Sequence, residues 1–172
     1  SPSVIADKLV QGDYRAVCVQ ASETSTGVAH PIQKIAEIVK KYPNTVLIVD
    51  AITALGVVNL PSDAWGIDML VSGSQKALML PPGLATLSVS DKAWGLIEKS
   101  NLPKFYFNLK AERKALHDNT TAWTPAVTLF MGLKKVIEML KAEGLENVFA
   151  RHQQMAQSIR DAAQAIGLKL LS

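Results

Sequence analysis

The segment Thr45–Asp50, TVLIVD, constrains the fold most, because Val46 to Val49 leave no polar face to turn toward water. A strand apolar on both sides belongs in a parallel sheet with helices packed over it. Upstream, Arg15–Gln20 carries Val17, Cys18 and Val19 and predicts a first strand. Between the two lies PIQKIAEIVKKY, with Pro31 suited to a first helical turn and Ile32, Ile35, Ile38 and Val39 at helical spacing. Strand, helix and strand in this order form one right-handed crossover unit. With 48% hydrophobic and 19% charged residues in 172, the composition excludes disorder and suits one domain with a real core.

The remaining sequence extends this α/β pattern. Ser3–Gln11 predicts a helix with Val4, Ile5, Leu9 and Val10 available for one face, and Gly12-Asp13 punctuates it. Ile67–Ser72 is a third strand and Leu84–Ser90 a fourth. Only the eleven residues Gly73 to Gly83, with Pro81-Pro82-Gly83 among them, join these two. A parallel crossover needs about a dozen or more, so the fourth strand should run antiparallel. Asp91–Ser100 predicts a helix capped by Ser90 or Asp91, ended by Asn101-Leu102-Pro103. Lys104–Thr124 lacks periodicity and reads as a long loop, of the kind that serves a site or an interface. Two helices follow. The first covers about Pro125–Ala142; the second covers about Leu145–Ile166 and is expected to bury Leu145, Val148, Phe149, His152, Met155, Ile159 and Ala163. Leu168–Leu171 then resembles the start of another strand.

Several functional classes drop out. Eighteen basic against fifteen acidic residues give a net charge of +3 without clustering, which argues against a nucleic-acid groove. The longest charge-free run, Asn119–Leu133, is 15 residues with Pro125 inside it, short of a membrane span. The start has no signal-peptide layout, and a single cysteine, Cys18, closes no intrachain disulfide, so a cytoplasmic setting is expected. No Cys/His spacing suggests a metal site.

Three polar clusters fall at the carboxyl ends of the predicted strands: Thr24-Ser25-Thr26-Gly27 after the first, Asp50 ending the second, and Ser74-Gln75-Lys76 after the third. Ligands of open α/β sheets bind there. Singly, each has a plain alternative as a turn, a cap or a solvated charge. Together they suit an aldehyde cofactor. A Lys amine can link to the aldehyde while a carboxylate keeps a ring nitrogen protonated, making the ring an electron sink. Pyridoxal 5'-phosphate needs those two groups and a phosphate cup, for which Gln75, the Ser/Thr hydroxyls and backbone N–H groups near Gly73 are available. The chemistry needs a neutral amine, which a desolvated pocket favours.

The stretches QASETSTGVAHPI, IVDAITALGVVNLPSDAWGIDMLVSGSQKALMLPPGLA and WTPAVTLFMGLKKVIEMLKAEGLENVFARH resemble the class V aminotransferases of pyridoxal phosphate fold type I, in particular the alanine–glyoxylate and serine–pyruvate group. SGSQK followed by PPG is the most specific element. The resemblance implies a mostly parallel sheet with one antiparallel strand and helices packed on it. Residues 1–142 would form part of the cofactor-binding large domain, and 143–172 the connecting helix and the start of a small C-terminal domain. It implies that Lys76 holds the cofactor covalently and moves the substrate proton, and that Asp50 faces the pyridinium nitrogen. Ile52 would pack under the ring, Thr24 would bond the ring's 3-oxygen, and Gln75 would bind phosphate. Thr124 would reach the phosphate of a neighbouring subunit's cofactor, which implies a homodimer with shared sites. The substrates implied are small amino acids and 2-oxo acids.

This sequence departs from that pattern in places. Thr121 stands where relatives often carry a Tyr, and Arg15, Arg113, Arg151 and Arg160 do not match the late carboxylate-binding Arg. The Gly-rich phosphate loop and the ring-stacking aromatic also lie outside the sequence, which therefore resembles the middle of an enzyme. Alternatives are a lyase or desulfurase reaction on the same fold, or a partner subunit like the cyanobacterial relatives labelled soluble hydrogenase small subunit. Cys18 reads as a buried strand residue, His30 as a helix-entry residue, and Trp123 as a residue of the dimer seam.

Overall fold

The computed structural model describes residues 1–171. Helix α1 (Pro2–Gln11) leads into β1 (Ala16–Gln20), a hairpin of β2 (Ser22–Glu23) and β3 (Val28–Ala29), α2 (Ile32–Val39), β4 (Val46–Asp50), the short α3 (Ser62–Trp65), β5 (Met69–Gly73) and β6 (Ala85–Val89). Helices α4 (Asp91–Lys99), α5 (Leu109–His117), α6 (Val127–Glu143) and α7 (Leu145–Ala165) complete the chain. The main sheet has the order β1-β4-β5-β6. β4 lies parallel to β1 and β5, and β6 runs antiparallel to β5 with Gly73 opposite Ala85. The short 73–83 connection thus forces the direction of β6, as expected from its length.

The core sits on one face of this sheet. Leu47 and Val49 are fully buried there and pack with Leu70, with Leu9 of α1, and with Ile32, Ile35, Ala36 and Val39 of α2. The helical spacing of the α2 apolar residues puts them on that side, where a Leu→Ala change typically costs about 2–5 kcal/mol. The opposite face is only partly covered. Val46 is buried on this face too, but Ile48 and Val71 are half-buried and Cys18 is exposed, so the expected two-sided burial of TVLIVD holds only in part and the expected burial of Cys18 does not hold. The reason is that α1 and α2 both cover the Leu47 face.

Other differences have equally local causes. Within Lys104–Thr124 the structure forms α5 instead of a continuous loop. Asn108 caps it by accepting the N–H groups of Lys110 and Ala111 at 3.1 and 3.4 Å, the Arg113 guanidinium lies 4.4 Å from the Trp94 ring centre, and Lys110 pairs with Glu98 at 3.3 Å. The cap is local to α5 and the other two are side-chain contacts to α4; all are invisible to hydrophobic periodicity. Along α7 only Val148 is buried; Phe149, His152 and Ala163 are half-buried, while Leu145, Met155 and Ile159 are exposed. On α1, Val4 and Val10 are exposed and Leu9 alone is buried, because only one stripe of the helix meets α2 and the sheet. Leu168–Leu171 forms no strand, having no neighbour to pair with among the described residues. Ser90 is the cap of α4, its Oγ accepting the Ala93 N–H at 3.1 Å.

Candidate active site

Three connections meet at the carboxyl end of the parallel strands. After β1 the chain turns through the β2–β3 hairpin, which carries Thr24 exposed at its tip. Ala21 N–H donates to the Asp50 carbonyl at 2.8 Å and Thr53 Oγ1 donates to the Ser22 carbonyl at 3.2 Å, which fastens the hairpin to the end of β4. His30 closes its base: the His30 N–H donates to the Ala21 carbonyl at 2.9 Å, and Nδ1 lies 2.8 Å from the Gln20 carbonyl and donates to it. His30 thus does more than begin α2. At the tip, Glu23 Oε1 accepts the N–H and the Oγ–H of Ser25 at 2.9 and 2.7 Å. The Ser25 N–H first, then its hydroxyl, hold the Glu23 carboxyl below the usual carboxylate range, with His30 adding a smaller pull.

Asp50 ends β4, opposite Gln20 of β1 and Val71 of β5. It is exposed, and its Oδ1 accepts the Ile52 N–H at 2.9 Å. Among the described residues no donor meets Oδ2, which leaves that oxygen available to a ligand. Ile52, held by this turn, is half-buried. A Cβ at Gly73 would lie 2.8 Å from Gln75 Oε1 and 3.3 Å from Ile52 Cδ1. The missing side chain is therefore the space into which Gln75 and Ile52 fold, and Asp50, Ile52, Gly73 and Gln75 form one cluster.

Lys76 follows Gln75 and is exposed, with no ion-pair partner among the described residues. The desolvated surroundings expected for it are not supplied by these residues. The connection beneath it is firmly made: Met79 N–H donates to the Lys76 carbonyl at 2.9 Å, and Leu129 of α6 packs where a Gly83 side chain would stand, 2.6 Å from an added Cβ. Thr124 lies apart from the cluster in hydrogen bonding. It is exposed, three residues before α6, beside Trp123, which stacks on Tyr106 at 4.9 Å and donates its indole N–H to the Tyr106 carbonyl at 3.2 Å.

A shallow hollow of about 340 Å³ lies against the sheet, lined by Cys18, Val19, Gln20, Ile48, Asp50 and Val71. A more spacious apolar one, about 710 Å³ between the Leu55–Ala64 connection, α6 and α7, includes none of the six candidate residues. The chemistry-bearing groups thus mark the site better than volume does. From sequence, Ser74 stood in the Ser74-Gln75-Lys76 cluster without a role of its own and His30 read only as a helix-entry residue. Both are polar residues next to turn-forming neighbours, and only their backbone partners reveal them.

The fold and the placement of these groups define a class: the α/β aminotransferases of pyridoxal phosphate fold type I, whose solved members superpose closely on this chain. Alanine–glyoxylate aminotransferase from Nostoc sp. does so with a TM-score of 0.91 at 27% identity, over 98% of this chain and 45% of that one. The model of the family "Aminotransferase class-V" matches residues 4–171, and the chain belongs to that family. A "Soluble hydrogenase, small subunit" from Synechococcus sp. is 49% identical over 160 residues, 93% of this chain and 42% of its own length. An L-aspartate–glyoxylate aminotransferase from Paracoccus denitrificans is 40% identical over 160 residues, 92% of this chain and 40% of its own length. The chain spans less than half the length of these relatives.

The residues present fit pyridoxal 5'-phosphate in kind: an exposed amine, a carboxylate with a spare acceptor oxygen, an amide, a hydroxyl, and a glycine whose absent side chain leaves room between Ile52 and Gln75.

Proposed function

We propose that the full-length protein is a pyridoxal 5'-phosphate-dependent aminotransferase that moves an amino group from alanine or serine to glyoxylate or another small 2-oxo acid. The observation that carries this reading is the class V match along residues 4–171, together with Asp50, Gln75 and Lys76 at the carboxyl ends of adjacent strands. When bound, the cofactor supplies an electron sink that stabilises negative charge at the substrate's α-carbon. Lys76 Nζ would hold it covalently and would carry the proton to and from the substrate's α-carbon. Asp50, with an acceptor oxygen to spare, would face the ring nitrogen and keep it protonated. Ile52 would support one face of the ring, Thr24 would serve the 3-oxygen, and Gln75 would bind the phosphate. Thr124 would serve the phosphate of the partner subunit's cofactor, which would make the protein a homodimer with shared sites; a cytoplasmic setting goes with this reading. Residues 1–142 would belong to the cofactor-binding large domain and 143–172 to the connecting helix and the start of a small C-terminal domain.

The test is spectral. Full-length protein loaded with pyridoxal 5'-phosphate should be yellow, lose that colour on borohydride reduction with the label on Lys76, and change its spectrum with alanine or serine and back with glyoxylate. A protein that stays colourless would overturn the reading. It would favour a partner-subunit role instead, which the 49% identity to a soluble hydrogenase small subunit makes the second reading.

A further inference from the structure

Ser74 stands between the end of β5 and the two site residues that follow it, and it is fully buried. Its Oγ–H donates to the Pro81 carbonyl at 2.7 Å, and the same oxygen accepts the Leu84 N–H at 3.2 Å. Its backbone adds two more bonds, Ser74 N–H to the Leu84 carbonyl at 3.0 Å and Leu80 N–H to the Ser74 carbonyl at 3.1 Å. One residue therefore joins both ends of the loop that carries Gln75 and Lys76. That loop contains Met79 at φ +56, a left-handed conformation that a residue with a side chain adopts only when its surroundings hold it there.

We propose that Ser74 is a positioning residue: its hydroxyl clasps Pro81 and Leu84 and so fixes where Gln75 and Lys76 present their side chains. A serine suits the role because a hydroxyl both donates and accepts, and the clasp needs one of each. Alanine would leave the Pro81 carbonyl and the Leu84 N–H without their partner at a partly buried turn, and the loop would relax to satisfy them elsewhere. The inference rests on the reading of Lys76 as the cofactor-binding amine.

The experiment compares wild type, Ser74→Ala and Ser74→Cys in the full-length protein loaded with pyridoxal 5'-phosphate. Cys is close in size and bonds weakly, so it keeps the test open if the alanine variant does not fold. Two readouts are needed: amide hydrogen exchange at Leu80 and Leu84, and the pH at which the Lys76 adduct's absorption band titrates. The expected result is at least tenfold faster Leu84 exchange, unchanged exchange in β1 and β4, and a titration shifted by about one pH unit, with Ser74→Cys intermediate. Unchanged Leu84 exchange overturns the clasp. Faster exchange with an unmoved titration overturns the positioning role and leaves Ser74 merely structural. A wild-type protein that forms no adduct on Lys76 overturns the functional reading, and this inference with it, whatever the exchange shows.

Discussion

Two aspartates on neighbouring strands face opposite fates. Asp68, just ahead of β5, is 4% exposed, and its carboxylate accepts the Leu47 N–H at 2.9 Å, the Ser90 hydroxyl at 2.9 Å and Lys92 Nζ at 3.1 Å. Lys92 also donates to the Thr45 carbonyl at 2.5 Å, so three segments, 45–47, 68 and 90–92, are tied together at the amino end of β5. Asp50, at the opposite end of β4, is exposed and has one partner, the Ile52 N–H. A carboxylate whose acceptor sites are filled from within the chain holds the fold; one with an oxygen to spare can serve a ligand. On the proposed reading, the two ends of one sheet thus divide the work between stability and chemistry.

That division can be broken experimentally. The largest effect belongs to the chemical end: Lys76→Ala should abolish the borohydride-trapped adduct in full-length protein, while far-ultraviolet circular dichroism stays as in wild type. Asp50→Ala should still bind cofactor but turn over more slowly, on the order of a hundredfold, since it removes one electrostatic partner of the reacting ring. Next comes the structural end. Asp68→Ala should lower the unfolding free energy by about 3 kcal/mol, the low end for a broken buried pair because Lys92 is 35% exposed. Asp50→Ala should change it by less than about 0.5 kcal/mol. Equal losses from the two aspartates, measured by urea denaturation, would erase the distinction.

Smaller effects come from surface carboxylates. Glu143 at the end of α6 accepts Arg151 of α7 at 2.6 and 3.0 Å, and this bond first, then the Arg151 charge, holds its carboxyl below the usual range. A carboxyl depressed in the folded state stabilises above its unfolded value, about 4.3 for glutamate, and that contribution is lost as pH falls through the lower folded value. Glu143→Gln should remove this acid-side part of the melting-temperature profile and leave the neutral side parallel to wild type. The smallest effect is at the hairpin, where Ser25→Ala should raise the Glu23 titration toward the ordinary range by carboxyl NMR, the Ser25 backbone N–H retaining the larger part of the shift.

Much of the fold was legible because apolar spacing records burial. The α2 pattern of Ile32, Ile35 and Val39 and the Val46–Val49 run located the core, and the eleven residues 73–83 set the direction of β6. Helix α5 was not legible, since the residues that anchor it to α4 are Lys110 and Arg113, whose partners Glu98 and Trp94 lie outside any local pattern. The site divides in the same way. Asp50, Gln75 and Lys76 stood out as chemistry-bearing residues at strand ends, whereas Ser74 and His30 act through backbone carbonyls that a sequence does not display.

By itself the sequence determined the strand order of events, the family and the residue types gathered at one sheet edge, because periodicity, chain length between strands and motif spacing are local properties of the chain. Only the tertiary structure decided which face of the sheet stays open, that Lys76 is solvent-exposed in this chain, and which aspartate is spent on the fold. Those outcomes depend on what each side chain meets across distances of twenty or more residues, and a hydrogen bond formed that far along the chain leaves no trace in local composition.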